Sequence, residues 1–189
     1  MPSYAAGWVR LMPGGRIDTE RAFQPLRIAV LTVSDSRDAA NDTSGDLLAA
    51  RITAAGHELG TRALLKHDAT AITNLARAWI ADPAIDVIVS NGGTGLSPRD
   101  ISPDVWRALF EQEFEGFTVL WHLISYETVG VSTMQSRACA GLANGTVIYV
   151  LPGSSGACAD GWDKIIGFQL DSRHRPCSAV ELISRFKKP

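Results

Sequence analysis

A chain of 189 residues is long enough for one domain with a sizeable core and too short for a second large one. Eighteen basic residues against twenty acidic ones leave a formal charge of −2, too small and too mixed to recruit a polyanion over a broad surface, so nucleic acid is set aside as a partner. Hydrophobic residues make up 46% of the chain, yet no run approaches the roughly 18 unbroken apolar residues that span a bilayer, so a membrane is set aside as well.

Met1 to Gln24 holds only a short, interrupted apolar patch before Pro13-Gly14-Gly15, unlike a secretory signal, and reads as a flexible extension. Leu26 to Val33 is a β-branched apolar run with little alternation, the pattern of a central parallel strand covered on both faces. After the polar stretch Ser34 to Ser44, the segment Gly45 to Gly56 has the apolar spacing and closing glycine of a helix, with Thr43 or Ser44 as its N-cap. Residues 58–65 read as a second strand, Ala69 to Ala81 as a second helix with Leu75, Trp79 and Ile80 inward, and Ile85 to Ser90 as a third strand.

Helices follow at roughly 103–112 and 115–128, then a buried strand from Gly145 to Leu151 and a helix from about Gly156 to Phe168. The tail Gln169 to Pro189 is rich in Pro, Arg and Lys and is expected to lie mostly on the surface. The alternation predicts an α/β fold, a three-layer α/β/α arrangement around a mostly parallel central sheet. Cys139, Cys158 and Cys177 are far apart and have no metal-ligand spacing, which fits reduced thiols in a cytoplasmic protein.

In an open α/β sheet, ligands bind beyond the carboxyl ends of the strands. Three polar or glycine-rich segments stand at such ends: Ser34-Asp35-Ser36-Arg37, Asn91-Gly92-Gly93-Thr94-Gly95, and Pro152-Gly153-Ser154-Ser155-Gly156. Glycines between Gly92 and Gly95 permit positive φ and leave room for several N–H groups to converge on an anion. The loop lacks the Gly-Lys-Ser/Thr ending of a Walker loop, and its spacing alone leaves a plain tight turn equally open. Pro152-Gly153-Ser154 heads a helix, whose free N–H groups favour anions, or else is an ordinary loop with a serine cap.

Asp100 and Asp104 follow the glycine loop, and Asp68 follows the second strand. Carboxylates beside a phosphate loop hold Mg²⁺ or accept a proton. Their local sequence allows a second role: Ser102-Pro103-Asp104 is a good helix start, and Asp68 can be an N-cap. No Gly-x-Ser-x-Gly elbow follows a strand, the histidines have no metal-ligand spacing, and Trp79, Trp106, Trp121 and Trp162 read as packing residues.

Four motifs together resemble the MoaB/MogA family of molybdenum cofactor biosynthesis proteins. They are Leu31-Thr32-Val33-Ser34-Asp35, Asp42-Thr43-Ser44-Gly45, Gly92-Gly93-Thr94-Gly95 with Arg99-Asp100-Ile101-Ser102-Pro103-Asp104, and Leu151-Pro152-Gly153-Ser154. Ser132 to Ala138 and Gln169 to Cys177 resemble the MoaB branch, and the likeness runs from Arg27 to Cys177.

The resemblance implies a molybdopterin-binding domain over 26–178, with the extension 1–25 and a tail 179–189 on either side. It implies association as a trimer or hexamer, contact with other enzymes of the pathway, and adenylylation of molybdopterin by Mg·ATP with release of pyrophosphate. Its alternative is a non-catalytic pterin-binding or carrier protein of the same pathway. Carried over motif by motif, Asp68 and Asp100 are the catalytic and Mg²⁺-holding residues. Ser34, Asp35, Asn91, Gly92, Gly93, Thr94, Gly95, Pro152, Gly153 and Ser154 line the pocket, with Ser132 and Arg137 on its edge. The chain departs from the family pattern at Ser90-Asn91, where transferase-type relatives commonly carry two threonines, and at Ser155, where many carry proline.

Overall fold

The computed structural model describes residues 15–186; the expectations for Met1 to Gly14 and for Lys187 to Pro189 lie outside them. In chain order the elements are β1 (Arg16–Ile17), β2 (Arg27–Val33), α1 (Thr43–Ala54), β3 (Glu58–Leu65), α2 (Ala69–Ala81), β4 (Val87–Asn91), α3 (Ser102–Arg107) and β5 (Gln112–Glu113). After these come α4 (Glu115–Val129), a 3₁₀ turn (Gly130–Gln135), β6 (Cys139–Ala143), β7 (Thr146–Leu151) and α5 (Ser155–Gly161). A π turn (Trp162–Ile166), α6 (Gly167–Leu170), β8 (His174–Arg175) and α7 (Ala179–Phe186) complete the described chain.

Six strands form one sheet in the order β3-β2-β4-β7-β6-β5. The first four are mutually parallel, while β6 and β5 run antiparallel at one side. The apolar runs lack alternation because helices cover both faces. Ile28 and Val30 face a core with Leu48 and Ile52 of α1, Trp121 of α4 and Ile166. Ala29, Leu31 and Val33 face a second core with Ile72 and Trp79 of α2 and Trp106 of α3. Two apolar layers flanking one sheet make the expected α/β/α sandwich.

Several boundaries differ from the sequence reading, each for a local reason. The cap of α1 is Asp42, whose side chain accepts from Gly45 N, so the helix begins at Thr43 instead of being capped there. The third strand begins two residues later than expected, at Val87, and runs one residue further, to Asn91. Ser102 does not cap α3: Ile101 holds that position, and among the described residues the buried Ser102 hydroxyl has no hydrogen-bond partner. Strand β6 was not expected, because Cys-Ala-Gly-Leu-Ala carries no β-branched residue.

The tail is not mostly surface: Leu170, Ala179, Val180 and Ile183 are buried in the core, the last three on one side of α7. Arg16–Ile17, within the expected extension, pairs with His174–Arg175. Among the described residues no helix is long and apolar enough to cross a membrane. Cys139 and Cys158 are free and buried, and burial pushes both thiols up to about 12, so they stay protonated near neutrality.

Candidate functional site

The ladder fixes where the site lies. Thr32 of β2 stands opposite Asn91 of β4, which stands opposite Leu151 of β7, so the three strands end side by side. Since β3 flanks β2 on one side and β4 on the other, the order reverses there, the usual place for a ligand crevice. All three polar segments singled out in the sequence leave the sheet at this edge.

The glycine loop needs its glycines. Gly92 has φ 98° and a Cβ there would lie 2.1 Å from the Val33 carbonyl oxygen; Gly93 has φ 66° and its Cβ would lie 2.6 Å from Ser102 Oγ. A Cβ on Gly153 would come within 3.1 Å of Gly92 Cα, so the loops after β4 and β7 touch. The hydroxyls of Thr43 and Ser155 bond across 3.1 Å and hold the start of α1 beside the start of α5. Ser154 caps α5 by accepting from Ala157 N at 3.2 Å. Two helix N-termini and a left-handed glycine turn therefore share one edge of the sheet, an arrangement that gathers N–H dipoles toward an anion.

Beneath this edge lies a buried polar network that the sequence reading did not assign a role. Asp42, 3% exposed, accepts from Thr32 Oγ1 at 2.8 Å, Gly45 N at 3.0 Å and Arg62 Nη2 at 2.9 Å, with Arg37 Nη1 at 3.8 Å. Asn91 donates to Thr32 Oγ1 at 3.0 Å and accepts from Ser44 Oγ at 2.7 Å. Its amide is thus spent on pinning β4 to β2 and α1, and the side chain expected to line the pocket instead supports it from below. Arg37 reaches Ser44 Oγ and brings a guanidinium to the start of α1.

Asp35 is also committed within the chain. It accepts Arg99 Nε at 3.0 Å and His67 N at 3.2 Å, and the Arg99 guanidinium, helped by that N–H, holds its carboxyl below the usual range. The ring Nδ1 of His67 meets the Arg99 carbonyl. These contacts tie the segment bearing Asp68 to the segment bearing Asp100, each of which follows directly in sequence. Sequence reasoning missed His67 and Arg99 because their partners are 32 and 64 residues away.

Asp68 does cap α2, accepting Ala71 N at 3.0 Å. Asp100 accepts Ser97 Oγ at 2.6 Å and Ser97 N at 3.0 Å. Partial burial opposes ionisation of Asp100, but Ser97, the Gly95 N–H and the nearby His67 outweigh it and hold the carboxyl below its ordinary value. Asp104 pairs with Arg137 Nη1 at 2.9 Å, and Arg137 also donates to the Gly95 carbonyl at 2.9 Å, so this arginine clamps the glycine loop from outside. Ser34 accepts from Arg37 N at 3.2 Å and shapes the first loop.

A family profile described as a probable molybdopterin binding domain matches residues 29–172. The chain is 44% identical over 163 residues to Molybdenum cofactor biosynthesis protein B of Escherichia coli (strain K12), covering 86% of this chain and 95% of that protein. It is 38% identical over 153 residues to the Staphylococcus epidermidis protein of the same name, covering 78% and 86%. Among solved structures it superposes on a Molybdenum cofactor biosynthesis protein B with TM-score 0.79 at 32% identity, covering 88% of this chain and 98% of that one. The tungsten cofactor synthesizing protein MoaB from Pyrococcus furiosus aligns with TM-score 0.72 at 27% identity, covering 88% and 100%.

Proposed function

The chain belongs to the MoaB/MogA family of molybdenum cofactor biosynthesis proteins, and from that membership we propose that it binds molybdopterin at the glycine loop and adenylylates it with Mg·ATP. Its role lies in molybdenum cofactor biosynthesis. The observation that supports the finer reading is the meeting of two helix N-termini with the Gly92-Gly93 turn, a cradle for phosphate.

In adenylyl transfer the terminal phosphate oxygen of the pterin attacks the α-phosphorus of ATP. A new P–O bond forms as the bond to the bridging oxygen breaks, and pyrophosphate leaves. The protein has little covalent chemistry to do and acts by positioning and charge neutralisation. Thr94 and Gly95, held by Arg137, and Ser154 with Gly153 and Pro152 supply the walls. Arg37 adds positive charge at the edge.

Mg²⁺ uses one or two carboxylates together with substrate phosphates and water, and bound there it would neutralise phosphate charge. Asp100, an ionised hard-oxygen donor at the loop, suits it, and Asp68 is the second candidate. A carrier without turnover is the competing reading, favoured by one observation: both carboxylates already accept hydrogen bonds from their own turns.

Replacing Ser154 by aspartate tests the pocket. Aspartate caps a helix as well as serine does, so melting should hold, whereas a carboxylate beside the pterin phosphate should weaken molybdopterin binding by roughly tenfold or more. Unchanged affinity in a calorimetric titration would place the pterin elsewhere.

Self-association belongs to the same proposal. Val119, Leu123 and Val129 of α4 and Val131 and Met134 of the next turn are apolar and 45–79% exposed, a patch suited to burial against copies of the chain. Light scattering should give three or six times 20.3 kDa, and Leu123→Asp should lower it; a monomeric wild-type chain would contradict this.

A further inference from the structure

The two ends of the described chain meet at the opposite edge of the sheet from the glycine loop. Gln24 lies just ahead of β2 and the Phe23 ring packs on His57, just ahead of β3, so the arm passes the amino ends of these two strands. There Asp18 N donates to the Arg173 carbonyl at 2.9 Å, Gln24 N to Ser172 Oγ at 2.9 Å, and Ser172 Oγ to the Ala22 carbonyl at 3.2 Å. Between this arm and α7 is a cavity of about 470 Å³, within the size range of small-molecule sites.

Its lining carries more positive than negative charge. Arg21, Arg175 and Arg185 face it, with Glu181 as the carboxylate among the lining residues. A single oxygen, Glu181 Oε1, serves two of these cations: Arg21 Nη1 at 3.3 Å and Arg175 Nη1 at 2.6 Å. Asp18, 4.0 Å from Arg175 Nε, offsets part of the excess. The Arg185 side chain has no ion-pair or hydrogen-bond partner among the described residues. Arg21 Nη1 also donates to the Ser172 carbonyl at 3.1 Å, and the three guanidiniums, each with five N–H donors in a planar fork, keep further donors for a ligand at this cavity. Arg21 and Arg175 are only 36% and 33% exposed, which leaves their mutual repulsion incompletely screened. An oxyanion would relieve it and accept from the remaining N–H groups in the bidentate geometry that arginine favours.

We propose that this cavity is a second anion site, separate from the glycine loop, which takes a small phosphate-bearing molecule between Arg21 on the arm and Arg175 and Arg185 at the tail. A phosphate held there bridges the arm and α7. It rests on nothing in the pterin reading, since no residue of the cavity belongs to the three strand-end segments.

The probe is inorganic pyrophosphate, titrated calorimetrically into the full chain carrying Ser154→Asp, so that binding at the glycine loop is suppressed. Saturable binding of one equivalent per chain is expected, weakened about tenfold to a hundredfold by Arg185→Gln and by Arg21→Gln, the range for one charge-assisted hydrogen bond. Arg185 makes no bond that the fold needs, so its variant should melt with the parent; if it does not, Arg21→Gln decides. No binding, or equal binding by the parent and both variants, overturns the proposal. Citrate at matched ionic strength is the control, and binding as tight as pyrophosphate would overturn the assignment to phosphate.

Discussion

Asp42→Ala is expected to lower the free energy of unfolding by about 3 kcal/mol, the lower end for removing one partner of a buried ion pair. The side chain is 4% exposed, and no water can replace it as acceptor for Thr32 Oγ1, Gly45 N and Arg62 at once. Arg37 and Arg62 keep 25% and 31% exposure and can rehydrate in part, which is why the upper end is not expected. Arg62 also retains Asp46 at 2.7 Å. Urea unfolding checks the value, and Asp42→Asn, which preserves the cap on α1, should cost less than half as much. A loss below about 1 kcal/mol for the alanine variant would mean that the network adds little to stability. Through Ser44 and Asn91 the same carboxylate underlies the glycine loop, so pterin affinity should fall together with stability.

Asp100→Asn is expected to reduce adenylyl transfer by about a thousandfold while changing molybdopterin affinity only a few-fold. Asparagine keeps the shape and an acceptor oxygen for the Ser97 hydroxyl and N–H, so the turn over 97–100 should survive. What disappears is the negative charge that Ser97 and the Gly95 N–H stabilise, and with it the attraction for Mg²⁺ beside the loop. The effect therefore belongs in kcat and in the Mg²⁺ dependence, not in pterin binding. Turnover within tenfold of the wild type would remove Asp100 from the reaction.

Much of the fold was legible because it depends on local pattern. Burial on both faces writes itself into Ile28 to Val33 as an apolar run interrupted by Thr32 alone, and the two cores confirm the reason. Strand β6 was illegible from composition, but a signal was present: Asn144-Gly145, with φ 48° and 76°, is the sequence of a tight hairpin turn and joins β6 to β7. The tail's Arg and Lys content hid an amphipathic helix whose Ala179, Val180 and Ile183 are buried. At the site, glycines and strand ends could be read directly, since backbone conformation demands them. The Asp42 network could not, because Thr32, Arg62 and Asn91 meet only once three strands and a helix are assembled. For the same reason Asn91 looked like a ligand contact, although its amide is consumed beneath the loop.

The most direct measurement is the reaction of the wild-type chain with molybdopterin and Mg·ATP, following pyrophosphate release and the mass of the pterin together. Adenylyl transfer yields one pyrophosphate and one adenylylated pterin per turnover, and that is the expected result. Saturated pterin binding with neither pyrophosphate nor a mass gain would contradict it and leave a carrier.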